Sequence, residues 1–300
     1  MIPPFKMPLP RSAYFRLVEH QSKLNLPAYH ADIPLVLFIS FTRVAAGLAL
    51  VSILFPPSVH RIGVALVFMG LGTLASVAHL RVPLRFMTMV RNNKSPLVWE
   101  VRLAGALTAL LALHFLSLLG YLQPFEAVFP WITCILALLF LISTAWAYRF
   151  ETHPAWKSSV LPIYYIVSAC TVGLVFRAMY YSFVGLPLVF ALLLVAEAFL
   201  LFLYGNHLRK TSPTALQQLL TGHEKRKFLA FLWATLLLPA LLTLLLLVLG
   251  YNEEINVVMA ISCFAGILIE RILFFQVERP IYFLSFIENP NGKDRYWVRG

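Results

Sequence analysis

Long apolar runs, separated by short polar segments, make up most of the chain. A helix of about 20 apolar residues crosses the hydrocarbon core of a bilayer, and eight runs are close to that length. They do not alternate between apolar and polar residues as barrel strands do, and a helix satisfies its own backbone hydrogen bonds in lipid. The pattern therefore predicts an all-α, polytopic membrane helix bundle with eight transmembrane helices. The predicted spans are Ile33–Phe55, Ile62–His79, Leu97–Gly120, Glu126–Tyr148, Ser158–Tyr181, Phe183–Tyr204, Phe228–Gly250 and Glu254–Gln276.

The composition also indicates a membrane protein. Of the 300 residues, 60% are hydrophobic and 12% are charged, whereas about a quarter of the residues in a soluble domain are charged. We expect an N-terminal tail at 1–32, a transmembrane domain at 33–276 and a C-terminal tail at 277–300. The proline-rich start of the chain lacks the apolar core of a cleavable signal, so we expect the first span to direct insertion without cleavage.

Basic residues are distributed unequally between the two predicted sides of the membrane. Nineteen of the 24 Lys and Arg residues fall in the two tails and in the second, fourth and sixth loops, which share one side. The opposite side has Arg61, and the remaining four lie within spans. The positive-inside rule places the rich side, with both termini, in the cytoplasm. We therefore expect a multi-pass inner-membrane protein surrounded by lipid, and no nucleic-acid partner, because aromatic and basic residues are not interleaved.

Metal and haem ligation are poorly supported by the residues. Cys134, Cys170 and Cys263 lie in three different spans, and no CxxC pair occurs, which argues against an iron–sulfur cluster held by this chain. A transmembrane b-type haem usually needs two histidines at one depth. His79 closes the second span at one side, whereas His114 lies toward the other side. We therefore expect neither haem nor an iron–sulfur cluster in this chain.

Ionisable residues at membrane depth are costly, so each of them is a functional hypothesis. Arg43 lies about 15 Å into the first span at 1.5 Å per residue, and Glu197 lies about 10 Å from the end of the sixth. Both are too deep to reach the surface easily, which indicates a functional role or a buried ion pair. The full set is Arg43, His79, Glu100, Arg102, His114, Arg177, Glu197, Glu270 and Arg271.

Simpler explanations stand beside these hypotheses. His79 is placed where an interfacial histidine would lie, and Glu100 and Arg102 could extend their charged groups to the membrane surface. Glu270 and Arg271 could pair with neighbouring helices and hold the bundle together. Each of these side chains alone is therefore weak evidence for a site.

His79 and Glu100 together suit one particular chemistry. Oxidation of a quinol requires a lipid-accessible cleft, a hydrogen-bond acceptor for each phenolic oxygen and a route for two protons. A histidine and a carboxylate near one membrane face are suitable acceptors, and a nearby cation can keep the carboxylate ionised. The two residues end one predicted span and begin the next, so we expect them to lie at the same face.

A transporter is the alternative from a different functional class. Transporters often contain interrupted helices and repeated halves. Pro162, Pro187 and Pro239 interrupt predicted spans, although the first four spans do not convincingly repeat in the last four.

Several stretches resemble the membrane-anchor subunit of the dimethyl sulfoxide reductase family. That family's signature is His-Leu-Gly-x-Pro-x-Arg followed by a glutamate, and this chain has His79-Leu80-x-x-Pro83-x-Arg85 followed by Glu100. Arg81 stands where the family has glycine, which adds a charge beside the expected site. Three further stretches that resemble the family are Pro34–Phe38 with Ala46-Gly47, Tyr148-Arg149 with Pro154–Trp156, and Glu270–Phe275.

The resemblance implies a role in electron transport. Members anchor a molybdopterin catalytic subunit through a four-cluster, ferredoxin-like iron–sulfur subunit, oxidise menaquinol and carry no metal. By matching, His79, Arg85 and Glu100 would contact the quinone, and we add Arg43 because of its depth. Polysulfide-reductase membrane subunits are similar and remain the nearest alternative. The four basic residues between His79 and Lys94 are expected to face the iron–sulfur subunit.

Overall fold

The computed structural model describes residues 31–56, 58–79, 95–122, 127–149, 154–179, 185–222 and 224–277. Sequence predictions that concern Arg81, Arg85 and most of both tails lie outside these residues, as does the side chain of His79. Helices make up 88% of the described residues, and none of these residues lies in a strand. Within the same ranges, eight helical segments are long and apolar enough to span a membrane. The predicted all-α, eight-span fold class is confirmed.

The described ranges contain ten α-helices, which are numbered here in chain order. They are α1 Ile33–Leu50, α2 Val59–His79, α3 Pro96–Leu118, α4 Phe129–Ala147, α5 Val160–Ala178, α6 Leu186–Thr211, α7 Pro213–Leu220, α8 Lys225–Leu232, α9 Leu238–Leu249 and α10 Glu253–Val277. Short 3₁₀ turns at Val51–Leu54 and Pro154–Trp156 follow α1 and precede α5. A π-helical turn at Trp233–Leu237 joins α8 and α9 into one span.

Among the boundaries that differ from the sequence prediction, two change the placement of polar residues. Helix α6 continues past Tyr204 to Thr211, because its last two turns are polar but contain no proline before Pro213. Pro213 then begins α7, a position that tolerates its missing N–H group. Arg61, predicted to lie in a loop, is instead buried in the first turn of α2, where its Nη2 donates to the Pro56 carbonyl oxygen at 2.6 Å.

Helix α1 is the central helix of the bundle. It packs against α2, α4, α5 and α10. Of the residues in the apolar 18-residue stretch of this first span, 83% are buried. Its backbone approaches α5 closely at Gly47 and Gly173. A Cβ atom added at Gly47 would collide with the carbonyl of Ala169, and one added at Gly173 would collide with the Gly47 backbone. Small residues therefore set the distance between α1 and α5, as is common in membrane bundles.

The seventh span accommodates Pro239 through its π-helical turn. Proline has no N–H group to donate to the preceding turn, and the wider turn at Trp233–Leu237 absorbs the mismatch. Ser262 of α10 donates its hydroxyl proton to the Ala234 carbonyl oxygen at 2.7 Å. This hydrogen bond from α10 thus compensates for the interruption that Pro239 causes in the seventh span.

Contacts between helix ends define the two faces of the bundle. Helix α1 begins, α2 ends and α3 begins at one end, which we call the basic face because the basic loops and tails of the sequence adjoin it. Trp156 before α5 and Phe274 near the end of α10 meet at this face, with 3.0 Å between the indole Nε1 and the carbonyl oxygen. At the opposite face, the Tyr251 hydroxyl donates to the Ala178 carbonyl oxygen at 3.2 Å.

Candidate functional site at the basic half of the bundle

The centre of the site is a buried cluster of two arginines and one glutamate. Arg43 of α1 donates from Nη1 to Glu270 Oε2 of α10 at 2.6 Å. Arg271 donates from Nη2 to the other carboxylate oxygen of Glu270. Both arginine side chains are 0% exposed. A buried pair was one of the two roles that the depth of Arg43 indicated, and the structure shows Glu270 as its partner.

An aromatic ring contacts both guanidinium groups, and a hydroxyl group contacts one of them. Both groups lie over the ring of Tyr165 in α5, with Cζ 4.1 Å from the centroid for Arg43 and 4.2 Å for Arg271. Arg43 Nη1 also donates to Ser168 Oγ at 3.1 Å. The ring face attracts cations strongly when water is excluded. Helix α5 therefore supplies much of the stabilisation of these buried charges.

Glu197 extends the cluster toward α6. Its side chain is buried at 3% exposure, lies beside Thr171 and interacts electrostatically with Arg43 and Glu270. It is thus the second carboxylate near Arg43, as expected for a deep ionisable residue in a bundle interior.

Glu100 lies in the first turns of α3 and is also buried, at 1% exposure. It lies beside the Thr144 hydroxyl of α4 and interacts electrostatically with Arg271. Its Oε1 has no hydrogen-bond partner among the residues that the structure describes. A buried polar atom without a partner is uncommon and calls for an explanation. This oxygen is available to accept a hydrogen bond from a ligand.

Aromatic residues from three segments form a layer beside Glu100. Trp156 and Phe274 stack with centroids 4.8 Å apart, and Tyr148 meets the Phe274 ring edge-on at 6.0 Å. Tyr148 directly follows the fourth span. Burial, and secondarily the nearby Glu100 carboxylate, raises the pKa of Tyr148 well above its usual value. Its phenol therefore stays protonated at physiological pH.

A separate group of ionisable residues lies at the opposite face. Arg61 interacts electrostatically with both Arg177 and His114, and Arg177 Cζ is 4.9 Å from the Phe55 ring centroid. The His114 ring stacks on Phe129 with centroids 5.8 Å apart. His79, in contrast, ends α2 at the basic face. The two histidines are at opposite ends of the bundle.

One electrostatic network contains part of the predicted site. It connects Glu100 to Arg271, and Arg271 through Glu270 to Arg43, so two of the predicted residues belong to one electrostatic network. His79 is the last residue of α2, and Arg85 lies outside the described residues. Sequence reasoning missed Tyr165, because it considered ionisable side chains alone. The sequence feature that could have indicated Tyr165 is the presence of hydroxyl-bearing residues within the apolar runs.

No group of three or more His, Cys, Asp and Glu side chains arranged to hold a metal ion occurs within the described ranges. The carboxylates of the basic half are spread along the network and interact mainly with guanidinium groups.

Comparison with known protein families identifies a match over most of the chain. The family of the DMSO reductase anchor subunit (DmsC) matches residues 28–277. No curated protein matches the chain significantly.

Proposed function

Because the chain belongs to the DMSO reductase anchor subunit family, we propose that it binds a quinol in the basic half of the bundle and oxidises it. The family makes the chain a membrane anchor subunit of a DMSO reductase-type oxidoreductase complex, with catalytic and iron–sulfur subunits as partners. This match favours the anchor subunit over a transporter. Menaquinol is the proposed quinol, and an inner membrane with the basic face in the cytoplasm is the proposed location.

The observation that carries the proposal is the unpaired Oε1 of buried Glu100. A carboxylate in an apolar surrounding is a strong hydrogen-bond acceptor, and a phenolic hydroxyl of a quinol is a matching donor. Arg271 interacts electrostatically with Glu100 and connects it to the ion pair of Glu270 and Arg43. Glu100 is therefore suited to hold a quinol hydroxyl and to accept its proton.

His79 is the proposed second acceptor. It ends α2, and α2 packs against α3, which begins next to Glu100. Oxidation of a quinol to a quinone releases two protons and two electrons. In the proposed reaction, Glu100 and His79 each accept one proton as general bases, and Arg85 helps to hold the bound ring. Arg43, which the sequence analysis placed at the quinone, is completely buried and paired with Glu270, so its proposed role is to support the site indirectly by neutralising Glu270.

The electrons leave on another subunit. We propose that they pass to a four-cluster, ferredoxin-like iron–sulfur subunit docked on the basic face, and from there to a molybdopterin catalytic subunit. The basic residues of the sequence on this side suit a partner with an acidic or polar surface. Residues 1–32 and 277–300 are the proposed tails on this side, with the transmembrane domain at 33–276 between them.

Substitution of the two proposed acceptors tests the function. We expect His79→Ala or Glu100→Gln to lower quinol oxidation by the assembled complex by about 10²-fold or more, the scale of general acid–base contributions. Glu254→Gln is the matched control, because Glu254 is an exposed carboxylate at the start of α10 and the opposite face. Normal quinol turnover by both His79→Ala and Glu100→Gln, in complexes that contain all subunits, would refute the proposed function.

A further inference from the structure

A cleft opens into the basic half of the bundle between α5, α6, α7, α8 and α10. The empty space within it is about 800 Å³, including the open mouth. The walls are mainly apolar and aromatic, and they include Trp156, Tyr164, Leu201, Phe231 and Phe274. The cleft is therefore shaped and lined as expected for a largely apolar ligand.

Glu270 brings a carboxylate to the lining of this cleft. Its two oxygens already accept hydrogen bonds from Arg43 and Arg271. Both guanidinium groups are completely buried behind it, whereas the Glu270 side chain retains 10% exposure. Each carboxylate oxygen has more than one lone pair, so Glu270 can accept a further hydrogen bond. A ligand in the cleft meets a hydrogen-bond acceptor rather than a cation.

The position of Glu270 in the cleft, with both arginines buried behind it, restricts the type of ligand that the cleft can bind. A phosphate group of a lipid would meet the carboxylate without access to the arginines, which is unfavourable for two like charges. A neutral hydroxyl can donate to Glu270 while the rest of the ligand stays in apolar surroundings. Aromatic side chains, among them Phe228 and Phe231, line the cleft, and an aromatic ligand packs well against such rings. These features together favour a hydroxylated aromatic ring that carries an apolar tail.

We propose that the cleft binds the ring of an isoprenoid hydroquinone, with one phenolic hydroxyl donating to Glu270. The inference rests on the proposed function for the class of ligand, but it concerns a second position. Glu100 and Tyr148 are absent from the described lining of the cleft. Tyr148 packs edge-on against Trp156 and Phe274, so this aromatic layer lies between Glu100 and the cleft.

Gly205 offers a way to fill the cleft without disturbing the helix backbone. It lines the cleft, and an added Cβ atom there meets no other atom within 4 Å. Gly205→Leu should therefore fold and occupy ligand space. Gly70 of α2 is the matched control, because a Cβ atom there also meets nothing within 4 Å and Gly70 is not part of the described lining.

The test uses a photoreactive isoprenoid hydroquinone and the full chain in lipid nanodiscs without oxygen. Peptides that carry the label are identified by mass spectrometry. We expect labelling of the α6 to α8 segment to fall about tenfold in Gly205→Leu, from loss of contact area, and to stay unchanged in Gly70→Leu. A dimethyl ether of the probe, which cannot donate a hydrogen bond, should label this segment about tenfold less.

The outcomes separate this inference from the proposed function. Labelling that is unchanged in Gly205→Leu, or equal for the dimethyl ether, would overturn the hydroquinone cleft. Loss of the cleft label in Glu100→Gln would also overturn it, since one site would then explain both results. A cleft label that is retained in the Glu100→Gln chain, together with normal quinol oxidation by assembled complexes that carry Glu100→Gln or His79→Ala, would support the cleft and refute the proposed function.

Discussion

Arg43 and Glu270 form a buried ion pair between the first and the last transmembrane helices, with 2.6 Å between Nη1 and Oε2. The two residues are 227 positions apart in sequence. Their pairing joins α1 to α10 and places Arg271 beside them. This contact connects the stability of the bundle to the electrostatics of the proposed site.

Removal of one member of this pair should destabilise the protein. Arg43→Met leaves Glu270 with Arg271, whereas Glu270→Met leaves two buried cations without a carboxylate partner at this point. Loss of one partner of a buried ion pair typically costs about 3–5 kcal/mol, so we expect Glu270→Met to have the lower thermal midpoint. The double variant should lose less than the sum of the two single losses. Strictly additive losses in detergent unfolding would contradict an interaction between these residues.

Tyr165 should stabilise the two arginines through its ring and not through its hydroxyl. The Tyr165 hydroxyl has no hydrogen-bond partner among the described residues, while both guanidinium groups lie over the ring. We expect Tyr165→Phe to unfold close to the wild-type temperature. Tyr165→Leu should lose roughly 2 kcal/mol or more, because desolvated cation–π contacts contribute on that scale. Equal unfolding midpoints for the two variants would argue against the ring contact.

The close contact between α1 and α5 should not tolerate a single added methyl group. In both Gly47→Ala and Gly173→Ala, the new Cβ atom would collide with backbone atoms of the other helix. We expect each variant to show a large drop in thermal midpoint or to fail to accumulate in membranes. Gly70→Ala provides the comparison, since open space surrounds that position and alanine favours a helix by up to about 1 kcal/mol. Wild-type yield and midpoint in Gly47→Ala would contradict the observed packing.

The iron–sulfur subunit should dock on the basic face. A photoreactive amino acid at Lys157, an exposed residue between α4 and α5, should capture that subunit in the assembled complex. The same group at Tyr121, which is 76% exposed just after α3 ends at the opposite face, is the control. Arg61 is unsuitable as a control because it is buried. Capture of the iron–sulfur subunit from Tyr121 and not from Lys157 would place its docking surface at the opposite face and contradict this prediction.

Helix boundaries show how far local sequence predicts the structure. The eight spans were predictable because hydropathy and helix-breaking residues act over a few turns, and their observed ranges differ mainly at the ends. The extension of α6 to Thr211 was missed because polar residues can continue a helix beyond the membrane when no proline interrupts it. Arg61 was predicted to lie in a loop, because the hydrogen bond that its guanidinium group donates to the Pro56 carbonyl oxygen depends on backbone geometry and not on local sequence.

The sequence by itself determined that this is a helical membrane protein with a small set of costly charges inside the bundle, because composition and hydropathy require no knowledge of contacts. Only the tertiary structure decided that Arg43 pairs with Glu270, that Tyr165 lies beneath both arginines and that Glu100 interacts with Arg271. These relationships depend on the rotation and separation of helices distant in sequence. The close contact of Gly47 with Ala169 is one of the packing constraints that set this geometry.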